Sequence, residues 1–342
     1  MRMQTKNQKK YFNQLISLLV GLVICMSAGA QNSRMALHMP ARNLITSEKI
    51  EREVAFLADS ICQGRGTGTK GSVEAASWIA RKFRDAGLVR FGSSWGKALV
   101  SSNGTTGHNI MGFLPGTNKG HHDRYVIIGA HYDHLGIVND RFYPGADANA
   151  SGVVALTSLA EMLAMTRSIG KSYGSNVIFV AFDAKEMDMA GSNRLWDMIS
   201  SEELIDPISG KVITRKKISL MVNIDQIGSC LSPINEGRDD YLIMLDGRTG
   251  RSSYKDMLQS CNSMYDINLD LGFTYYGSDN FTKLFYRLSD QRVFVDNRIP
   301  AVMFTSGITM NNNKPWDRAS TLNMEILHKR INLIYHWAVM VL

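Results

Sequence analysis

Five short runs of almost wholly apolar, often β-branched residues constrain the fold of this chain more than any other feature. Runs of this length without polar alternation are typical of strands that are buried on both faces of a sheet. They lie at residues 125–130, 176–182, 218–224, 241–245 and 301–304. We therefore predict five strands in the interior of one sheet.

Helical patterns alternate with these predicted strands. Apolar residues recur at helical spacing in residues 47–60, 72–86, 149–165, 192–200 and 321–342. Ser47 can cap the first of these helices, and Gly87 can end the second. Strands that alternate with helices predict one α/β domain over residues 47–342, with a mostly parallel central sheet and helices on both faces.

Polar residues follow three of the apolar runs directly and supply candidate site residues. His131 and Asp133 follow the first run, residues 183–186 follow the second, and Asp225 follows the third, while Asp147 precedes a predicted helix. Sites in α/β sheets form beyond the carboxyl ends of the strands, so these side chains are expected to converge. Histidine and carboxylates are common zinc ligands, and Asp133 can orient the His131 ring through its second nitrogen.

The first thirty residues resemble a secretory signal peptide. A basic stretch ends at Lys10, an apolar run covers residues 15–24, and small residues follow up to Ala30. The apolar run is shorter than the roughly 20 residues that span a bilayer. We therefore predict cleavage near Ala30, an arm over residues 31–46, and an exported periplasmic or extracellular protein without a stable transmembrane span.

The net charge and the absence of certain motifs limit the classes of ligand and partner that we expect. The formal net charge is +7, but residues 1–30 carry four basic residues and no acid, which leaves +3 for the rest. This balance, without a long basic block, does not favour nucleic acid as a partner. No GxSxG, P-loop or GxGxxG motif follows a strand. A peptide or another small ligand is the expected partner, and the oligomeric state stays open.

The cysteine spacing does not indicate a zinc knuckle or a redox dithiol. Cys62, Cys230 and Cys261 remain after residue 30, and no CxxC pair occurs. Buried free thiols and one disulfide of unassigned partners are both compatible with this spacing.

Several motifs resemble those of the co-catalytic di-zinc exopeptidases of the bacterial aminopeptidase type. That family also includes glutaminyl cyclases, glutamate carboxypeptidases and the non-catalytic transferrin receptor ectodomain. The similar segments lie in residues 56–68, 129–134, 223–228, 298–301 and 314–317. The resemblance covers nearly all of the chain after residue 46 and implies the zinc-exopeptidase fold.

The resemblance also implies a catalytic arrangement with two zinc ions about 3.5 Å apart. His131 and Asp225 match the protein ligands of one zinc, and Glu186 matches a ligand of the other. Asp133 matches the residue that orients the histidine. In the family, an Asp bridges the two ions, a late His completes the second, and a Glu acts as general base.

Three positions depart from that pattern. Lys185 stands at the general-base position, where an ammonium cannot accept a proton unless its pKa falls by several units. Ala148 stands at the position of the bridging Asp, and the adjacent Asp147 is the candidate substitute after a local shift. Asn313 replaces the late His and is a weak neutral ligand. The donors that remain favour one zinc ion or none over two.

Three functional hypotheses follow. The preferred one is a protein with impaired or absent catalysis that binds a peptide or another ligand in its cleft. The second is a working metallo-aminopeptidase with a rearranged or one-metal site, in which Asp183 or Asp147 replaces the base. The third is a one-zinc cyclase-type acyltransferase, which is the weakest because Ala148 and Asn313 stand at two of its three ligand positions.

Overall fold

A computed structural model describes residues 40–117, 123–230, 238–246, 253–275 and 277–342. The predicted signal peptide and most of the predicted arm lie outside these residues. Within them, eleven strands are present: β1 Val89–Arg90, β2 Gly96–Val100, β3 Thr106–Leu114, β4 Tyr125–His131, β5 Gly136–Val138, β6 Arg141–Tyr143, β7 Asn176–Phe182, β8 Ile218–Ile224, β9 Tyr241–Asp246, β10 Asp270–Gly272 and β11 Ala301–Thr305.

Nine of these strands form one sheet, in the order β1-β3-β7-β4-β8-β11-β9-β10, with β2 paired to β3. The central strands β7, β4, β8 and β11 are parallel to one another. Every residue of β4 and β7 is buried, which explains why both segments read as continuous apolar runs. All five predicted strands are confirmed.

The sheet is mixed at both sides of this parallel centre. On one side β3 pairs antiparallel with β7, and β1 and β2 pair antiparallel with β3. On the other side β9 runs antiparallel to β11. Strands β1, β2, β3 and β10, and the small β5–β6 hairpin, were not predicted because none of them is a long unbroken apolar run.

Helices cover both faces of the sheet. The main ones are α1 Ser47–Leu57, α2 Lys70–Asp85, α3 Gly152–Ser168, α4 Ala190–Ser200, α5 Ser253–Met264, α6 Asp279–Tyr286, α7 Gln291–Asp296 and α8 Met324–Val341. The five predicted helices are present, although Thr46 rather than Ser47 caps α1, because the Thr46 hydroxyl accepts from the Lys49 amide. Short 3-10 turns at Ser60–Arg65 and elsewhere complete the connections.

Helix α3 is the central support of the fold. A kinked turn, Ala146–Ser151, in which Ala148 and Asn149 are not helical, leads directly into it, and residues of α3 such as Leu156 and Leu163 are fully buried. The segment Ala146–Ser168 is long and apolar enough to cross a membrane, but 83% of its most apolar window is buried inside the protein. Its hydropathy therefore reflects a position in the core, and its first turn carries candidate site residues.

Candidate functional site

The candidate site lies where the loops after β4, β7 and β8 meet. Because these strands are parallel and adjacent, their carboxyl ends bring His131, Lys185 and Asp225 to one edge of the sheet. The backbone amide of Glu186 donates to Asp133 Oδ2 at 3.0 Å, which joins the first two loops. The convergence predicted from the strand ends is confirmed for these three loops.

His131 and Asp225 form a buried pair. The Nε2 atom of His131 lies 3.4 Å from Asp225 Oδ1, and the two side chains are 1% and 8% exposed. The other ring nitrogen, Nδ1, lies 3.1 Å from the carbonyl oxygen of Asp133 and 3.6 Å from its carboxylate. The main-chain carbonyl of Asp133 therefore makes the closer contact with Nδ1, and the orienting role of its carboxylate stays a prediction.

The electrostatics of this pair favour its charged form. Burial disfavours a charged imidazole, but the neighbouring Asp225 and Asp133 outweigh this effect and raise the pKa of His131 to about 10. Burial similarly opposes the charged form of Asp225, yet His131 and Lys185 hold the pKa of that carboxyl well below its usual range.

Lys185 stands inside the same group of charges. Its Nζ atom donates to Glu186 Oε1 at 3.1 Å, and the two side chains are 18% and 23% exposed. Although burial favours a neutral amine, Asp225 and Glu186 raise the pKa of Lys185 above its ordinary value. A lysine that remains an ammonium has no lone pair with which to accept a proton from water, so Lys185 is not equipped to act as a general base.

Asp147 is engaged with the backbone of the loop after β8. Its Oδ1 atom accepts from the amides of Gly228 and Ser229 at 2.8 and 3.1 Å and from the Ser151 hydroxyl at 3.2 Å. The other oxygen, Oδ2, is buried and accepts no hydrogen bond from the described residues. Asp147 therefore fixes the position of a site loop, and its role as a metal ligand stays a prediction.

The other two substituted positions offer no strong ligand. Ala148 is buried and has no donor atom in its side chain, and its amide donates to Asp317 Oδ2 at 3.1 Å. Asn313 is exposed in a turn with a φ of 57°, and its neighbour Asn312 accepts from the Gln226 side chain.

Asp183, the alternative base, is fully occupied by hydrogen bonds. Its Oδ1 accepts from the Thr67 hydroxyl and the Ala184 amide, both at 2.8 Å. Its Oδ2 accepts from the His108 amide at 2.9 Å and the Tyr132 hydroxyl at 2.8 Å. Four donors leave Asp183 no free acceptor site with which to activate water, so its arrangement argues against the base role.

Two buried arginines hold the loops of the site, and neither role was predicted from the sequence. Arg65 is fully buried and donates to the carbonyl oxygens of Leu57, Tyr132, Pro144 and Gly145 at 2.6–2.8 Å. No motif predicts this, because the partners are main-chain atoms that only the fold brings together.

Arg330, also fully buried in α8, does the same for the loop after β8. It donates to the carbonyl oxygens of Tyr241, Ile227 and Ser229 at 2.7–2.8 Å. Ile227 and Ser229 belong to the loop that Asp147 also holds. The backbone around the site is therefore fixed from two directions by side chains that take no part in metal binding.

The donor set does not fit a pair of zinc ions. A structural zinc takes four ligands, a catalytic zinc takes about three, and a zinc pair needs a shared bridging group. Here the bridging position is Ala148, the Asp147 Oδ1 is taken by backbone amides, and the Lys185 ammonium lies against Glu186. Within the described ranges, no group of three or more His, Cys, Asp or Glu side chains is arranged to hold a metal ion.

Sequence comparisons place this chain among peptidases. The sequence model of peptidase family M28 matches residues 109–338. The aminopeptidase YwaD of Bacillus subtilis is 29% identical over 151 residues, which cover 44% of this chain and 28% of that protein. Leucine aminopeptidase 1 of Aspergillus niger is 24% identical over 259 residues, which cover 71% of this chain and 56% of that protein. The matches thus span less than two thirds of the length of these relatives.

Solved structures share the fold. The LapA aminopeptidase of Legionella pneumophila has a TM-score of 0.66 and 17% identity, over 90% of this chain and 75% of that one. BSAP, a zinc aminopeptidase from Bacillus subtilis, has a TM-score of 0.64 and 14% identity, over 86% and 95%. The glutaminyl cyclase of Macrostomum lignano has a TM-score of 0.64 and 16% identity, over 89% and 92%. The predicted aminopeptidase-like fold is confirmed.

Proposed function

We propose that this chain, which belongs to peptidase family M28, uses the cleft of an aminopeptidase-like fold to bind a peptide or another small ligand without two-metal hydrolysis. The observation that carries the proposal is the ion pair of Lys185 with Glu186. Lys185 stands where the family's general base is expected, and Glu186 stands where a zinc ligand is expected. The positive charge of the first is paired with the negative charge of the second.

The retained frame supports binding. Arg65, Arg330 and Asp147 hold the loops that surround the cleft, and their contacts do not depend on a metal. Function has to be argued from the site rather than from the fold, and here the walls of the site are kept while its reactive groups are replaced. The signal-peptide-like residues 1–30 support an exported protein, in which the ligand would be met outside the cytoplasm.

The test measures hydrolysis and binding on the same preparation. The chain is loaded with zinc and assayed on a panel of aminoacyl p-nitroanilides, and binding of tripeptides is followed by isothermal titration calorimetry. We expect no zinc-dependent hydrolysis, because loss of a general base alone costs roughly 10²–10⁴-fold in rate. We expect heat of binding from at least one tripeptide.

A triple variant, K185E/A148D/N313H, is the matched positive control. It restores the three side chains that the family pattern implies, and the intact frame should let it gain zinc-dependent hydrolysis. Zinc-dependent turnover by the unmodified chain would contradict the proposal. It would favour the second hypothesis, a working aminopeptidase with a rearranged site, which is supported by the contact between His131 and Asp225 and by the hydrogen bond from the Glu186 amide to Asp133.

A further inference from the structure

The cleft contains more buried acid than an apolar interior tolerates without compensation. Asp133 is fully buried, Asp225 is nearly so, and Glu186 is about three-quarters covered. A buried carboxylate without a partner is costly, because its ionised form loses solvation that only a nearby cation or strong donors replace. The question is which cation serves this cluster.

Lys185 is placed to serve it. Its Nζ atom lies 3.1 Å from Glu186 Oε1, and the charges of Asp225 and Asp133 also act on it. The direction of the side chain is fixed by its turn. Ala184 has a φ of 56°, the Met189 amide donates to the Lys185 carbonyl at 3.1 Å, and the Glu186 amide is bound to Asp133.

The buried Arg65 guanidinium is committed to other partners. Arg65 is fully buried, but its hydrogen bonds run to four backbone carbonyl oxygens. It therefore adds to the local field without pairing with an acid of the cluster. His131 contributes through Asp225, and Lys185 is left as the lysine that reaches Glu186.

We infer that the Lys185 ammonium takes the place of the zinc pair as the cation of this cleft, so that the site is electrostatically complete without metal. Relative to the family pattern, Lys185 in place of a Glu and Ala148 in place of an Asp remove two negative charges and add one positive charge. That change of +3 comes close to offsetting the four positive charges of two absent zinc ions. The substitutions at 185 and 148 thus change the charge in the same direction and together replace most of the missing metal charge.

The test asks whether removing the ammonium creates a demand for zinc. The variants K185M and K185R are compared with the unmodified chain by thermal unfolding in EDTA and in excess zinc, and by elemental analysis after zinc loading and desalting. The unmodified chain and K185R should hold less than stoichiometric zinc and melt at the same temperature in both conditions. K185M should melt several degrees lower in EDTA, retain zinc, and recover part of the loss when zinc is added.

The matched control is K82M. Lys82 makes an ion pair of 2.7 Å with Glu53, and its side chain is 21% exposed, similar to that of Lys185, but it lies on α2 among groups outside the cleft. K82M should lose some stability and show no response to zinc. If K185M melts like the unmodified chain and ignores zinc, or if the unmodified chain retains two zinc ions, the inference is overturned.

A double variant covers the case in which K185M does not fold in EDTA. K185M/E186Q removes both members of the ion pair, so it should fold without zinc and melt above K185M. Failure of the double variant to recover stability would overturn the inference, because the loss would then come from packing rather than from an unpaired carboxylate. Peptide hydrolysis by zinc-free protein would contradict the proposed function and leave this inference standing.

Discussion

Two regions of the cleft differ in how they are built. The first is a frame, which we define as Arg65, Arg330, Asp147, Asn149 and Asp317. Each of its members hydrogen-bonds backbone atoms of the site loops; Asn149, for example, donates to the Ile224 carbonyl at 2.9 Å, and Asp317 accepts from the Asp147 amide at 2.9 Å. The second region, which we call the reactive set, is Lys185, Ala148 and Asn313, the three positions that the sequence predicts to depart from the family pattern.

This difference teaches that the shape of the site and its chemistry are held by separate residues. Backbone atoms are present whatever side chain a loop residue carries, so a frame that bonds to the backbone is insensitive to substitutions in the reactive set. A substitution in the reactive set is therefore expected to leave the loops that the frame holds in position. Each prediction below tests whether the two regions are as separate as their contacts suggest.

The largest expected effect comes from breaking the frame at Arg65. R65M leaves four buried carbonyl oxygens without their donor. Each buried polar group that loses its partner lowers the free energy of unfolding by about 1–3 kcal/mol. We expect a loss of about 3–5 kcal/mol in the free energy of unfolding, since the loops relax in part and recover some hydrogen bonds. Urea denaturation measures this loss.

The control for R65M is R84M. Arg84 is 62% exposed and pairs with its neighbour Asp85, so its loss should change the free energy of unfolding by less than about 0.5 kcal/mol. A loss of under 1 kcal/mol for R65M would show that the frame does not hold the loops.

The second effect concerns Asp290, a fully buried residue that directly precedes α7. Burial raises the pKa of this carboxyl to about 6, although His131 and the Ser192 side chain favour its charged form. The folded state therefore keeps the proton to higher pH than the unfolded chain, whose Asp loses it near pH 4. The stability that the neutral form contributes is present below about pH 4 and is lost as the pH rises through 6.

Replacing Asp290 isolates this contribution. The D290N side chain does not titrate, so its free energy of unfolding should rise relative to the unmodified chain by about 2–3 kcal/mol between pH 4 and pH 7, and stay level above that. Urea denaturation at steps of one pH unit measures the difference. D85N, which alters an exposed acid, should run parallel to the unmodified chain. A constant difference for D290N from pH 4 to 8 would show that the carboxyl is ionised throughout.

The fold was largely predictable because the strands at the centre of the sheet have a clear sequence pattern. Strands β4, β7 and β8 are buried on both faces, and each appears in the sequence as an apolar run. Strands β7 and β8 end at the predicted residues. The antiparallel side was missed because β3 mixes polar residues such as His108 and Asn109 with apolar ones. Asn109 is buried and donates to the Gly191 carbonyl. This contact joins residues far apart in the chain, so no local sequence pattern predicts it.

The site was predictable only where residues adjoin the strands. His131, Lys185 and Asp225 follow directly from strand ends, because parallel strands bring their carboxyl ends together. Arg65, Arg330 and Asp290 could not be inferred, since each acts through backbone or burial across a large sequence separation. Asp147 was predicted as a ligand candidate from its place beside Ala148, but its orientation toward Gly228 depends on the kinked turn Ala146–Ser151.

The smallest expected effect concerns Asn313, a member of the reactive set whose backbone conformation favours particular residues. Its φ of 57° lies in the left-handed region, where Asn and Gly are tolerated best. N313G should therefore leave the free energy of unfolding nearly unchanged, whereas N313A should lower it by about 1 kcal/mol. Urea denaturation of both variants measures the pair. Equal stabilities of N313G and N313A would mean that the turn does not require the left-handed conformation. Asn313 would then differ from a histidine at this position only in the metal-binding group that it lacks.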